Sequence, residues 1–216
     1  MKTLSFDEGR GLESVLCLGA HCDDIEIGCS GAVLKLAAGR MSHVTWVVFS
    51  SDAQRQREAL RSAERLLTGV PKQNIIVRSF RDGFFPYHGA EIKEYFEELK
   101  ATLSPDVVFT HYRGDLHQDH RTISELTWNT FRDHLILEYE IPKYDGDLGS
   151  PNVFVELEEE VADRKVANLL DCFESQRGKR WFSDDLFRGL LRLRGMECNA
   201  QSGLAEAFHC RKLVLG

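Results

Sequence analysis

The chain has 216 residues, 43% of them hydrophobic and 28% charged, with a formal net charge of −7. That is chain enough for one sizeable core and little for a second. The negative balance speaks against a nucleic-acid partner, and no apolar run approaches the roughly 20 residues that span a bilayer.

Ser14 to Gly19 is a short apolar run ending on a glycine, the pattern of a strand buried on both faces. Next comes Ala20-His21-Cys22-Asp23-Asp24. Ser30 or Gly31 then opens a helix over 32–38, closed by Gly39. Val44 to Ser50 is rich in β-branched and aromatic residues and predicts a second strand. Ala53 to Leu67 predicts a charged helix stopped by Gly69 and Pro71. A third strand over 74–80 runs into a turn-rich loop, Arg81-Asp82-Gly83 through Gly89. Ile92, Tyr95, Phe96, Leu99 and Leu103 mark one stripe of the next helix.

Asp106 to Thr110 predicts the fourth strand. It leads into His111 and then Asp115-Leu116-His117-Gln118-Asp119-His120. A helix over 122–131, a strand over 135–141, a loop over 142–152 and a short strand over 153–157 follow. The remainder predicts a helix over 158–173 with an acidic first turn, a basic loop Arg177–Arg180, a helix over 184–196 and a terminal strand over 205–215. There is no repeat, linker or low-complexity tract, so one domain over 1–216 is expected. Its class is α/β, a Rossmann-like, mainly parallel sheet with helices on both faces and a mixed C-terminal extension. Met1 to Glu13 lacks the apolar stretch of a signal peptide, so a cytoplasmic protein is expected. The six cysteines form no C-x-x-C pair; neither a disulfide scaffold nor a cysteine zinc site follows.

The two His/Asp stretches carry the chemistry. In a doubly wound sheet the first and fourth strands are neighbours where strand order reverses, and ligands bind beyond their carboxyl ends. Both stretches leave those ends. Singly, either reads equally well as a capped, solvated helix start; jointly they predict one divalent-metal site. Competing readings lack their motifs: there is no G-x-G-x-x-G, no G-x-x-x-x-G-K-[ST] and no G-x-S-x-G. A catalytic zinc site takes three protein ligands and keeps a place for water. His21, Asp24 and His120 suit the ligand roles, Asp23 the general base, His117 the oxyanion partner and Asp119 the orientation of a histidine. By the residues alone, Asp23 and Asp24 are interchangeable.

At these residues the chain resembles the PIG-L (LmbE-like) family of metal-dependent N-deacetylases. That family carries A-H-P-D-D after its first strand and H-x-D-H after a later one. The resemblance extends to Arg55-Gln56-Arg57-Glu58 (the family's R-x-x-E) and to Ala205-Glu206-Ala207-Phe208 (its A-E-A-F). It implies a Rossmann-like fold, Zn2+ on His21, Asp24 and His120 (Fe2+ or Mn2+ being the alternatives), and Asp23 as base. It further implies His117 on the oxyanion, Asp119 behind a histidine, and Arg55, Asp115 and His111 toward the substrate. The implied substrate is an N-acetylated amino sugar, free or in a glycoconjugate. One departure stands out: Cys22 replaces the family's proline. Proline stiffens such a turn; cysteine loosens it and sets a thiol near the metal, which bears on metal preference and oxidation sensitivity. Every group the chemistry needs remains, so activity is expected to survive. Two other readings remain. A two-metal phosphoesterase would need His111 and Asp115 to build a second site. A sugar-binding protein without catalysis would be expected to have lost a ligand or the base, and none is missing. If Lys179 and Arg180 face the cleft, a nucleotide- or phosphate-bearing sugar follows. A homo-oligomer is compatible with the sequence.

Overall fold

The computed structural model describes residues 12–214. Among these, seven strands form one sheet: β1 (Ser14–Gly19), β2 (His43–Val48), β3 (Lys72–Val77), β4 (Val107–His111), β5 (Leu135–Tyr139), β6 (Val153–Glu156) and β7 (Ala205–His209). Their order is β3-β2-β1-β4-β5-β7-β6. The first five are parallel, with Val15 opposite Val44 on one side and Val107 on the other. β7 runs antiparallel to both β5 and β6. This is the α/β class with a mixed C-terminal extension that the alternation of elements predicts, and strand order reverses between β1 and β4.

Six α-helices among the described residues cover the sheet: α1 (Asp24–Ala38), α2 (Ala53–Leu66), α3 (Gly89–Thr102), α4 (Gln118–Thr130), α5 (Glu159–Cys172) and α6 (Asp184–Cys198). Because strand side chains alternate, β1 serves two cores. Val15 and Cys17 pack with α1, α2 and α5 residues such as Val33, Ala63 and Leu169. Leu16 and Leu18 pack on the other face with Phe96 of α3 and Ile123 of α4. A smaller cluster joins Leu191 of α6 to Leu157, Ala162 and Leu204.

Several boundaries differ from expectation. β3 begins at Lys72 and ends at Val77, and β7 ends at His209, while residue 215 lies outside the described residues. Helices α1 and α4 begin eight and four residues before the predicted starts at 32 and 122. The first turn of α4 lies within the second motif, and that of α1 starts on the last residue of the first, Asp24, with Glu26 following. Asp24 to Leu34 of α1 is buried throughout, so the polarity that reads as a loop in one dimension belongs to the wall of a cleft.

Candidate metal centre

The two motifs meet where β1 and β4 end side by side. Ala20 to Asp23 form the turn from β1 into α1, and residues 112–117 form the loop from β4 into α4. His117 caps α4, its Nδ1 accepting from the Asp119 N–H at 3.3 Å. Asp24 opens α1; its Oδ2 accepts from the His21 N–H at 2.6 Å.

His21 Nδ1 lies 3.1 Å from His120 Nε2 and 3.3 Å from Asp24 Oδ2, and His120 Nε2 lies 3.6 Å from Asp24 Oδ1. Donors held tetrahedrally 2.0–2.1 Å from a zinc ion are roughly 3.3 Å apart. The protons are placed to suit. His120 Nδ1 faces Asp115 Oδ2 at 2.9 Å. His21 Nε2 faces Asp82 Oδ1 at 3.1 Å and Asp119 Oδ2 at 3.3 Å. Carboxylates accept only, so each imidazole keeps a proton on its outer nitrogen, and the inner nitrogen is the one that can give up its proton and offer a lone pair to a cation. Two imidazole lone pairs and a carboxylate converging at these distances form a donor set suited to a divalent cation. The broader candidate sets in this cluster are His21–His117–His120, Asp24–His111–His120 and His21–Asp82–Asp119.

The electrostatics divide the two aspartates. Burial opposes the charge on Asp24, but His120, His111 and His21 outweigh it and hold the carboxyl well below its usual range. Burial lifts Asp23 above its usual range; Arg55 pulls it down and Asp24 pushes it up. Arg55 Nη2 donates to Asp23 Oδ1 at 2.8 Å. For His21, burial is outweighed by Asp24, Asp119 and Asp82, which raise it well above the ordinary histidine value. Burial, with His111 nearby, lowers His120 to about 4. His117 is also lowered, by burial and then by His21. With Nδ1 accepting, a neutral His117 presents its Nε2–H as a donor.

Asp119 is held by the N–H groups of Gly83 and Phe85, at 2.7 and 3.1 Å, and so stands behind His21. His111 and Asp115 do not reach the cleft surface. His111 is 0% exposed, its ring stacked on His120 at 3.9 Å. Asp115 backs His120 and pairs with Lys143 at 2.8 Å. Both residues thus lie against His120, beneath the cleft. Arg55 does line the cleft, with Asp82, Ile141, Pro142, Lys143, Gln176, Lys179 and Trp181. The neighbouring Arg57 is exposed.

Asp82, Gln176 and Trp181 escape the sequence reading. Asp82 sits in the turn-rich loop after β3, one residue before the amide that holds Asp119. Only the hint of an Asp in a loop at a strand's carboxyl end was there to find it. Of the other loop residues, Lys179 reaches the cleft while Phe85 is buried beneath His21, ring centroids 6.2 Å apart. Cys22 packs inward from its place in the first motif. It is fully buried, its Sγ–H donates to the Ser50 carbonyl at 3.3 Å, and burial pushes its pKa far above the ordinary thiol value. That hydrogen bond ties the turn to the second residue beyond β2, and a thiol so buried and protonated is a poor nucleophile.

Comparison with known proteins identifies a family and a fold. Residues 16–131 match the PIG-L family model, described as GlcNAc-PI de-N-acetylase. Among solved structures, the conserved protein TT1542 from Thermus thermophilus is similar at 18% identity and TM-score 0.72, covering 95% of this chain and 97% of that one. An N,N'-diacetylchitobiose deacetylase from Pyrococcus horikoshii is similar at 20% identity and TM-score 0.66, covering 92% and 84%. GalB, the 4-carboxy-2-hydroxymuconate hydratase of Pseudomonas putida, is similar at 15% identity and TM-score 0.71, covering 95% and 98%. At such identities the likeness is one of fold.

Proposed function

The chain belongs to the PIG-L family, and from that premise we propose that it is a zinc-dependent N-deacetylase acting on an N-acetylglucosamine-type amino sugar, free or in a glycoconjugate. The observation that carries the reading is the convergence of His21 Nδ1, His120 Nε2 and Asp24, with Asp23 and His117 beside them in one cleft. His21, Asp24 and His120 would hold the ion; Zn2+ suits the two imidazoles and one carboxylate, and Fe2+ or Mn2+ are the other candidates. When bound, a divalent ion polarises a carbonyl and lowers the pKa of its water to about 7.

The side chains do the rest. Arg55 fixes Asp23 Oδ1, and the other oxygen takes the proton of the attacking water. His117 Nε2–H donates to the carbonyl oxygen as negative charge develops there. As the carbon–nitrogen bond breaks, Asp23, its pKa raised by burial, passes the proton to the departing amine. Acetate and the free amino sugar result. Asp119 and Asp115 keep His21 and His120 in the right tautomer.

The wall facing these groups comes from Ile141 to Lys143 and from Gln176 to Trp181, outside the family match, and is suited to select the rest of the substrate. Lys179 on that wall favours an acceptor bearing a phosphate. Six unpaired cysteines suit the reducing cytoplasm. Among the described residues no helix is long and apolar enough to cross a membrane.

The test is metal analysis of the purified protein, with acetate release measured on free, nucleotide-linked and lipid-linked N-acetyl amino sugars. Asp23→Asn is expected to keep the metal and lose activity by about 10²- to 10⁴-fold. A folded, metal-loaded Asp23→Asn protein with full activity would overturn the mechanism.

A further inference from the structure

We propose that the buried Lys165–Glu206 ion pair is a positioning device that splices α1 in mid-length and thereby seats the segment presenting Asp23 and Asp24. The proposal rests on the reading of His21, Asp24 and His120 as metal ligands.

In a regular α-helix the Gly31 N–H would donate to the Ile27 carbonyl and the Ala32 N–H to that of Gly28. Here Gly31 N–H donates to Glu206 Oε1 at 2.8 Å and Ala32 N–H to Glu206 Oε2 at 2.7 Å. The Ile27 carbonyl accepts from Lys165 Nζ at 2.6 Å. Lys165 Nζ also donates to Glu206 Oε1 at 2.5 Å. The carboxylate thus acts as an N-terminal cap for the second part of α1, and the ammonium as a C-terminal cap for the first. Side chains inserted into the helical ladder in this way set the angle between two helix segments. The first segment is about two turns long, and Asp23 and Asp24 stand at its head.

The splice is packed down to the backbone. A Cβ on Gly31 would lie 2.8 Å from Glu206 Oε1 and 2.6 Å from Leu157 Cδ1, and one on Gly28 would lie 2.1 Å from the Tyr139 ring. It also explains the helix start signal at Ser30–Gly31, which marks a real cap site inside a longer helix. The side chains of Lys165 and Glu206 are only 2% and 3% exposed. Burying two charges costs desolvation that their attraction rarely exceeds, so stability alone is a poor reason for the pair. Its partners, α5 and β7, lie beyond the family match; through it the second part of the chain holds the catalytic turn.

Cobalt(II) alone is the probe, since its d–d absorption reports ligand geometry without any substrate. Removing both charges together, in Lys165→Met/Glu206→Gln, avoids leaving one ion unpaired. The double variant is expected to keep its far-UV circular dichroism, bind cobalt(II) about 10- to 100-fold more weakly and show an altered cobalt spectrum. Its kcat for acetate release falls while KM stays near that of the parent, because the sugar-facing wall is untouched. Gly31→Ala, which displaces Glu206 without changing any charge, is expected to shift affinity and spectrum in the same direction. A folded double variant with the parent's cobalt affinity and spectrum overturns the proposal, whatever its melting temperature. Failure of both variants to fold also overturns it, by assigning the pair to the fold itself. A parent protein that binds cobalt(II) in this geometry yet releases no acetate leaves the role of the pair intact and removes the proposed activity.

Discussion

Two imidazole protons decide what the centre can hold. His120 keeps its lone pair on the ion side only while Asp115 accepts the proton on Nδ1, 2.9 Å away. Asp115 is itself steadied by Lys143 and shielded from solvent at 2% exposure. Asp115→Asn is near in shape but offers an amide that can turn a donor toward His120. It is expected to weaken metal binding about 10- to 100-fold, measured by competition with a chromophoric chelator. Unchanged affinity would mean that His120 is oriented by its packing on His111 alone. At this scale the sequence was most informative, because His and Asp in the two motifs name the donor types. The tautomers were not legible: Asp115, Asp119 and Asp82 look alike in the chain, and only their positions say which histidine each one faces.

Among the elements, α2 carries Arg55 into the cleft at its first turn. Its N-cap is Asp52, whose Oδ1 accepts from the Gln54 and Arg55 N–H groups at 2.8 and 2.9 Å. The Arg55 guanidinium then meets Asp23. Asp52→Ala is expected to cost about 1 kcal/mol of stability and to lower kcat through a less firmly held Arg55. Urea denaturation and steady-state acetate release would check both, and loss of stability with unchanged kcat would detach the cap from the site. The start of α2 was legible because Asp52 precedes a run of helix formers. The starts of α1 and α4 were not, because the carboxylates Asp24 and Glu26 in the first turn of α1, and Asp119 with His120 in that of α4, carry the polarity of a loop.

Across the whole molecule, α1, α2 and α5 are tied by a buried polar chain. Ser62 donates to Glu26 Oε1 at 2.5 Å and Asn168 Nδ2 to Ser62 Oγ at 2.7 Å. Burial raises Glu26 to about 8 despite the Ser62 bond. The folded protein therefore keeps a proton on Glu26 that the unfolded chain releases above about 4.5. By linkage the native state binds the extra proton, so this group lowers stability as pH rises from about 4.5 through 8. In the chelator-treated protein, Glu26→Gln is expected to flatten the fall in urea midpoint between pH 5 and pH 8. An identical slope in parent and variant would show that Glu26 does not titrate there. The likeness to both a deacetylase and a hydratase sets another limit at this scale: the fold is a scaffold, and the reaction depends on the side chains mounted on it.

The sequence by itself determined the class of fold, the adjacency of its first and fourth strands and the donor types gathered in the two motifs. Those properties are written in local terms: burial periodicity, glycine and proline stops, and His and Asp at short spacing. It also placed both motifs at the switch point, because strand order follows from a small set of allowed crossovers. Only the tertiary structure decided which carboxylate backs which histidine, that Cys22 is a buried donor to Ser50, and that Gln176 and Trp181 face the cleft. The same holds for Glu206, whose amide partners lie 175 and 174 residues away. Each depends on atoms distant in the chain coming within hydrogen-bonding reach, and distances of a few ångströms have no one-dimensional signature.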